Sequence, residues 1–285
     1  MSTEIKINTL AELHARGESP EVVFWVGCAG SFDEAAQSVT KAFVKILSHT
    51  QTSFAVLGDE ESCTGDPAKR AGNEFLFQAQ ALQNIERLNH YGVTKIITTC
   101  PHCFNTLKNE YSALDGHYEV YHHSQFLKHL LETEKLKISE TTFKGKRITY
   151  HDPCYLGRAN QVFEAPRHLL KSLQLALTEM KSCKSKGLCC GAGGAQMFKE
   201  AEKGSAEINI VRTQEALDTK SKIIVTGCAS HIDHKGFKTI TSTSNNICVP
   251  TDMVDKVIEF FNTKWYIEIQ ESYEIGNAYQ SNDYA

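Results

Sequence analysis

Two adjacent thiols, Cys189 and Cys190, stand against a glycine-rich turn, Gly191-Ala192-Gly193-Gly194. Adjacent cysteines seldom reach the Cα and Cβ separations that a disulfide needs. Both sulfurs of such a pair can, however, approach one metal centre from a turn that lacks bulky side chains. The plainer alternative is a glycine-rich helix start with two buried cysteines, since free cysteine is among the most buried residue types. Repetition favours the metal centre. Cys28 and Cys154 are 126 residues apart, as are Cys63 and Cys189, and Gly65 and Gly191. Cys100 and Cys228 are 128 apart, as are Cys103 and His231, and Tyr118-Glu-Val-Tyr121 finds a counterpart in Asn246-Ile-Cys-Val249 at the same shift. Self-similarity at such a period signals duplication of a whole domain.

The elements that must position these residues also repeat. Apolar runs predict strands over 22–26, 54–57, 95–99 and 118–121, and helical periodicity predicts helices over 33–47, 74–90, 104–111 and 124–131. The second half replays this order, with strands over 147–150, near 178–180 and over 222–226, and helices over 165–173 and 201–217. Strands alternating with helices imply parallel α/β architecture. Cys28, Cys100, Cys154 and Cys228 all fall just after a predicted strand. The carboxyl ends of strands in an open parallel sheet are where ligands bind, so distant stretches can converge on one spot per half. Residues 239–246 read as loop, 252–261 as an amphipathic helix and 270–285 as a frayed end.

Composition sets the boundaries. At 285 residues, 41% apolar and 22% charged, the chain has the make-up of a globular protein of one large or two ordinary domains. Expected boundaries are 21–143 and 144–265, with 266–285 a frayed tail. A net charge of −4 with no Lys/Arg run gives no case for nucleic acid or an anionic membrane. No apolar run reaches the length of a membrane span, and the N-terminus has no apolar signal core. A cytoplasmic protein is expected, in which ten cysteines serve as metal ligands or redox thiols rather than disulfides.

Neither half has the two close Cys-x-x-Cys pairs of a zinc ribbon. Cys100-Pro101-His102-Cys103 is open to a thioredoxin-like reading, but two other cysteines are placed to meet it, which a simple dithiol does not need. The close spacing of bacterial ferredoxins is absent. The order Cys, then Cys-Cys-Gly, then Cys-x-x-Cys resembles the cysteine-rich CCG domain found in heterodisulfide reductases. It is also similar to the iron–sulfur subunits of glycolate, lactate and glycerol-3-phosphate oxidising systems. The phrases Trp25-Val-Gly-Cys28, His151-Asp-Pro-Cys154-Tyr-Leu-Gly157-Arg158 and Gly187-Leu-Cys-Cys-Gly-Ala-Gly-Gly194 carry the resemblance.

The resemblance implies two tandem pseudo-symmetric parallel-sheet domains, each binding a [4Fe–4S] cluster, with a non-cubane cluster the expectation for the second half. Candidate ligands are Cys28, Cys63, Cys100 and Cys103 in the first half, and Cys154, Cys189, Cys190 and Cys228 in the second. The chain departs from the pattern twice: Thr64 stands where the first half would have its second adjacent cysteine, and His231 replaces the last cysteine of the second. Imidazole can ligate iron, so His231 is a further candidate, against the alternative of a surface histidine. The implied function is an iron–sulfur electron-transfer subunit of a cytoplasmic oxidoreductase complex, inactive alone and serving a flavoprotein or ferredoxin-like partner. Disulfide reduction is its sharper form, and a zinc-stabilised binding protein is the rival. Cys248, in a predicted strand, reads as core, and Cys183 as core, a spare thiol or a neighbour of the ligands. Arg158 and Lys186 read as solvated charges, and His102 and His151 as donors to cluster sulfurs.

Overall fold

The computed structural model describes residues 6–138, 144–196, 204–221, 223–226, 237–240 and 246–250. A capping box of Thr9 and Glu12 starts helix α1 (Leu10–Ala15), which leads to strand β1 (Val22–Trp25). A short helix α2 (Gly27–Phe32) follows, and Asp33 then caps α3 (Glu34–His49) by accepting from the Ala36 N–H. After β2 (Phe54–Ala55) come α4 (Asp66–Arg70), α5 (Glu74–His90), β3 (Lys95–Thr98), α6 (Pro101–Asn105), β4 (Glu119–His122) and α7 (His123–Glu132). The second half runs β5 (Arg147–His151), α8 (Glu164–Ser172), β6 (Ala176–Leu177), α9 (Ile208–Asp218), β7 (Ile223–Thr226), β8 (Phe237–Ile240) and β9 (Asn246–Pro250).

The first sheet has the order β2-β1-β3-β4 and is parallel throughout. Alternation along β1 serves two cores. Val23 and Trp25 pack on one face with α1, α5 and Phe104, while Val22, Phe24 and Val26 pack on the other with α3 and α7. Connections from β1 leave toward β2 and return to β3 on the opposite side, so the strand order reverses between β1 and β3. Ligand crevices form at such a reversal, and Cys28 and Cys100 flank it.

The second sheet has the order β6-β5-β7-β9-β8. Its β6, β5 and β7 are parallel, matching β2, β1 and β3, and Cys154 follows β5 as Cys28 follows β1. The match ends at β9, which pairs antiparallel with β7 whereas β4 pairs parallel with β3. In the first half the chain between β3 and β4 is largely helical and carries it back to a parallel start. In the second half that stretch contains β8, an antiparallel neighbour of β9, and hairpin-like returns give antiparallel pairs.

Other differences from the sequence reading are local, among them the helix expected over 201–217, whose described part is α9 from Ile208. The helix expected over 104–111 starts at Pro101 and passes through a π turn (Thr106–Glu110) and a 3₁₀ turn (Tyr111–Leu114); proline is pre-set for a helix's first position. The strand expected near 178–180 lies at Ala176–Leu177, and the start of the loop expected over 239–246 belongs to β8. The helix expected at 252–261 and the tail beyond lie outside the described residues.

The halves meet in a shared core. Leu156, fully buried, joins the cluster built on Val23, Trp25 and α5. Asn160 receives a hydrogen bond from Asn109 at 2.9 Å and donates one to Asn105 at 3.0 Å. The Tyr155 ring packs against His102 with centroids 4.5 Å apart and lies under the Arg70 guanidinium.

Candidate functional site

In the first half three loops carry thiols to the end of the sheet. Cys28 sits on α2, whose entry is gripped by a buried carboxylate. Glu61 accepts from the N–H of Val26 at 3.0 Å and of Gly27 at 2.6 Å. Burial raises the Glu61 carboxyl to about 7 even though those two bonds oppose the shift. Gly27 has a φ of +78°, and a Cβ there would lie 3.5 Å from the Cys103 sulfur, so this backbone passes close under a second thiol. Cys63 lies on the next loop, where the Gly65 N–H donates to its sulfur at 3.4 Å. Gly65 has a φ of +86°, and a Cβ would collide with the Phe77 ring at 2.8 Å. Asn84 bonds the Cys63 carbonyl and the Tyr111 hydroxyl donates to the Thr64 carbonyl, which holds the loop onto α5.

Cys100 stands two residues after β3 as the N-cap of α6, and Cys103 follows one turn later on that helix. The hydrogen bond from Cys103, helped by the His102 field, outweighs burial and lowers the Cys100 thiol to about 7. Cys103 is raised well above the usual thiol range by the same bond and by burial. Cys28 is the most exposed of the four. The protein packed around its sulfur and the neighbouring Cys100 and Cys63 nonetheless raise its thiol to about 11. Cys63 is raised by burial, against the Gly65 N–H. All four thiols thus lie within one another's electrostatic reach, and Thr64 adds a hydroxyl 3.8 Å from the Cys103 sulfur.

The second half repeats the turn. The Gly191 N–H donates to the Cys189 sulfur at 3.4 Å, Gly191 has a φ of +85°, and a Cβ there would meet Ile208 at 2.7 Å. Cys190 and Thr64, at equivalent places, are both 2% exposed. Hydrogen bonds from Cys154 and Cys190 hold the Cys189 thiol far below its ordinary range, with His151 close by adding to the effect. The Cys154 loop is anchored by Asp152, which takes a two-pronged ion pair from Arg167 at 2.8 Å on each oxygen and accepts from the Lys184 N–H at 2.7 Å. Cys154, Cys189 and Cys190 are thereby gathered, while Cys228 and His231 lie outside the described residues.

Across the halves, the His102 ring packs where a side chain on Gly193 would stand, 2.5 Å from a Cβ built there. His102 Nδ1 pairs with Asp66 at 2.8 Å, and burial of Asp66 is outweighed by His102 and Arg70, which lower its carboxyl. Among the described residues no group of three or more His, Cys, Asp or Glu side chains is arranged to hold a single metal ion. Cys183 is half-buried, and Arg158 and Lys186 are exposed, in keeping with their reading as solvated charges.

Several residues that shape the site were missed from sequence. Glu61 is one of three consecutive acids, Asp59-Glu60-Glu61, with nothing local to single it out. Arg167 and Arg212 fall within expected helices, with nothing local to single them out. Asp152 had a usable signal, since it lies two residues before Cys154 in the quoted motif.

Known proteins match both halves of the chain. The CCG family, described as a cysteine-rich domain, matches residues 22–108 and again residues 148–230. A probable iron–sulfur-binding oxidoreductase of Bacillus subtilis, FadF, is 42% identical over 226 residues, which is 79% of this chain and 32% of that protein. The EtfAB:quinone oxidoreductase of Syntrophomonas wolfei is 43% identical over 74% of this chain and 30% of its own length. One of the subunits of the dihydromethanophenazine:CoB–CoM heterodisulfide reductase of Methanosarcina barkeri is 31% identical over 74% of this chain and 52% of its own length. The chain thus spans a third to a half of the length of these relatives. With both copies of the cysteine pattern matched, the chain belongs to the cysteine-rich CCG domain family.

Proposed function

We propose that this chain is the iron–sulfur electron-transfer part of a larger oxidoreductase, with one cluster site in each of two domains, 21–143 and 144–265. The observation that carries the reading is the repeated turn. In each half a glycine N–H reaches the sulfur of the cysteine two residues before it at 3.4 Å, with Cys28, Cys100 and Cys103 near the first of these thiols and Cys154 and Cys190 near the second. Hydrogen bonds to cysteine sulfur are among the features that set cluster potentials.

The donor set fits. Cys28, Cys63, Cys100 and Cys103 match the four thiolates of a [4Fe–4S] cluster, and a cluster spreads its ligands further apart than one ion does. A single zinc ion would need four donors drawn together tetrahedrally, which the described side chains are not. When bound, the cluster supplies one-electron redox chemistry. The chain's part is to surrender thiol protons on binding, at a cost set by the raised Cys28 and Cys103 thiols. Glu61 and Asp152 hold the ligand loops in place.

The second site differs. Cys189 and Cys190 offer two adjacent sulfurs where the first half offers one, and with Cys154, Cys228 and His231 they would form a larger donor set. Such a site suits a non-cubane cluster and a substrate disulfide. The electron partner is a flavoprotein or ferredoxin-like unit, in line with relatives named as an EtfAB:quinone oxidoreductase and as part of a heterodisulfide reductase. Among the described residues no helix is long and apolar enough to cross a membrane. Anaerobic purification with iron, sulfide and zinc analysis tests the proposal. Brown protein with about four or more iron atoms and matching sulfide is expected, and colourless zinc protein would overturn it.

A further inference from the structure

We propose that Trp25 and His151 each donate a ring N–H to the iron–sulfur site of their own half, and that Arg212 fixes the His151 tautomer able to do so. The inference rests on the cluster reading above. Trp25 is the last residue of β1, three before Cys28, and His151 is the last of β5, three before Cys154. They are 126 residues apart, the period of the duplication. What the two side chains share is a flat aromatic ring that carries an N–H.

Both are deeply buried, at 0% and 3% exposed, and in both the nitrogen that would carry that proton has no hydrogen-bond partner among the described residues: Nε1 of Trp25 and Nε2 of His151. A buried unsatisfied donor costs about 1–3 kcal/mol, and most buried polar groups in native proteins are paired. Two such orphans at one duplicated position point to a partner that binds at both. Each shares its surroundings with thiols of its own half. Trp25 packs in the core cluster that contains Cys103 and borders Cys100, and His151 is near enough to Cys189 to act on its thiol.

Indole nitrogen can only donate, whereas imidazole has a choice of nitrogen. Arg212 removes the choice. Its Nε donates to His151 Nδ1 at 2.8 Å, and a guanidinium has no acceptor, so the ring proton must sit on Nε2. Arg212 is 2% exposed and is itself held by the Ser182 carbonyl at 2.7 Å and Glu215 at 2.6 Å. One half therefore uses a residue that is a donor by nature, and the other a residue made a donor by its neighbour. An N–H aimed at cluster sulfur favours the reduced, more negative state, so each donor raises the potential of its own site.

The experiment is a redox titration of the anaerobic protein followed by electron paramagnetic resonance. Trp25→Phe should lower the midpoint of one signal, and His151→Met that of the other. Each should fall by about tenfold in the reduction equilibrium, about 59 mV for one electron. His151→Gln, whose amide nitrogen reaches the Nε2 position, should restore most of the loss. In metal-free protein, long-range ¹⁵N–¹H imidazole spectra should show His151 as the Nε2–H tautomer, and Arg212→Lys should mix the two. If a variant loses iron, wild-type protein labelled with ¹⁵N-Trp or ¹⁵N-His decides the matter. Nitrogen and exchangeable-proton couplings to the reduced signals are then expected.

Unmoved midpoints with iron retained, no label coupling, or an Nδ1–H tautomer in the wild type would overturn the inference. Wild-type protein without iron would instead sink the cluster reading, and this inference with it.

Discussion

The two halves lock the same pair of loops with a buried carboxylate placed at opposite ends. In the first half Glu61, on the second loop, reaches back to the N–H groups of Val26 and Gly27 on the first. In the second half Asp152, which stands 126 residues after Val26, reaches forward from the first loop to the N–H of Lys184 on the second. The duplicated backbone needs its thiol-bearing loops tied together, and either end can supply the tie. The charge is handled differently. Glu61 is met by two backbone N–H groups and its carboxyl is raised, whereas Asp152 is met by the Arg167 fork, which also grips Glu179. The chemistry-bearing turn has hardly drifted, with φ of +86° and +85° at Gly65 and Gly191. The scaffolding around it has been rebuilt.

The sharpest way to break the comparison is to make the second turn imitate the first. Cys190→Thr copies Thr64 into a position equally buried. It should abolish the thiol-dependent resonance signal while leaving the first-half iron bound, and Cys63→Ala should do the converse. Iron content and spectra before and after thiol treatment check both. If Cys190→Thr keeps that signal and Cys63→Ala removes it, the chemistry belongs to the first half.

Next in size is the Arg167 fork. Arg167→Met leaves Asp152, 2% exposed, buried without its ion pair, and breaking such a pair costs about 3–5 kcal/mol. Hydrogen exchange should quicken in 184–191 and not in 58–65. Adding Asp152→Asn should recover part of the loss, because the stranded charge is gone. Equal loosening of both halves would show that they do not fold their loops independently.

This contrast also marks how far the sequence could be read. The period of 126, the cysteines that follow strands, and α5 from Glu74 to His90 were legible because spacing and helical periodicity are properties of nearby residues. Arg167 and Arg212 were not. Each sits on an amphipathic helix where a basic residue ordinarily faces solvent, and each is buried only because Asp152, 15 residues away, or His151, 61 away, comes to meet it. Glu61 was hidden among three acids for the same reason. The direction of β9 was likewise unreadable, since alternation along a strand says which residues share a face and nothing about which way its neighbour runs.

The third prediction turns on Glu61. Its carboxyl is raised from 4.5 to about 7 in the folded protein, so the folded state holds the proton more tightly than the unfolded one. Metal-free protein should therefore be more stable at pH 4.5, and lose stability as the pH rises through about 7. A shift of that size is worth roughly 3 kcal/mol at most. Glu61→Gln should flatten this slope in denaturant unfolding between pH 5 and 8. Arg167→Met should leave the slope in place. An unchanged pH profile in Glu61→Gln would mean that another group carries the dependence.

The smallest effect is expected where the halves are made more alike in the other direction. Thr64→Cys writes the adjacent-thiol pattern of Cys189-Cys190 into the first turn. Thr64 is 2% exposed and gives up only a long contact from its hydroxyl to the Cys103 sulfur, 3.8 Å, while its carbonyl keeps the Tyr111 hydroxyl bond. Cysteine is slightly smaller than threonine and suits burial, so the change should cost less than about 1 kcal/mol, as volume-conserving core swaps do. First-half iron should stay bound, since Cys28, Cys63, Cys100 and Cys103 are untouched. The sensitive readout is the spectrum. A fifth sulfur near the first site that left its signal unchanged would show that an added thiol is not enough. The difference between the halves would then lie in the rebuilt surroundings, the Asp152–Arg167 clamp and the Arg212–His151 pair, rather than in the count of cysteines.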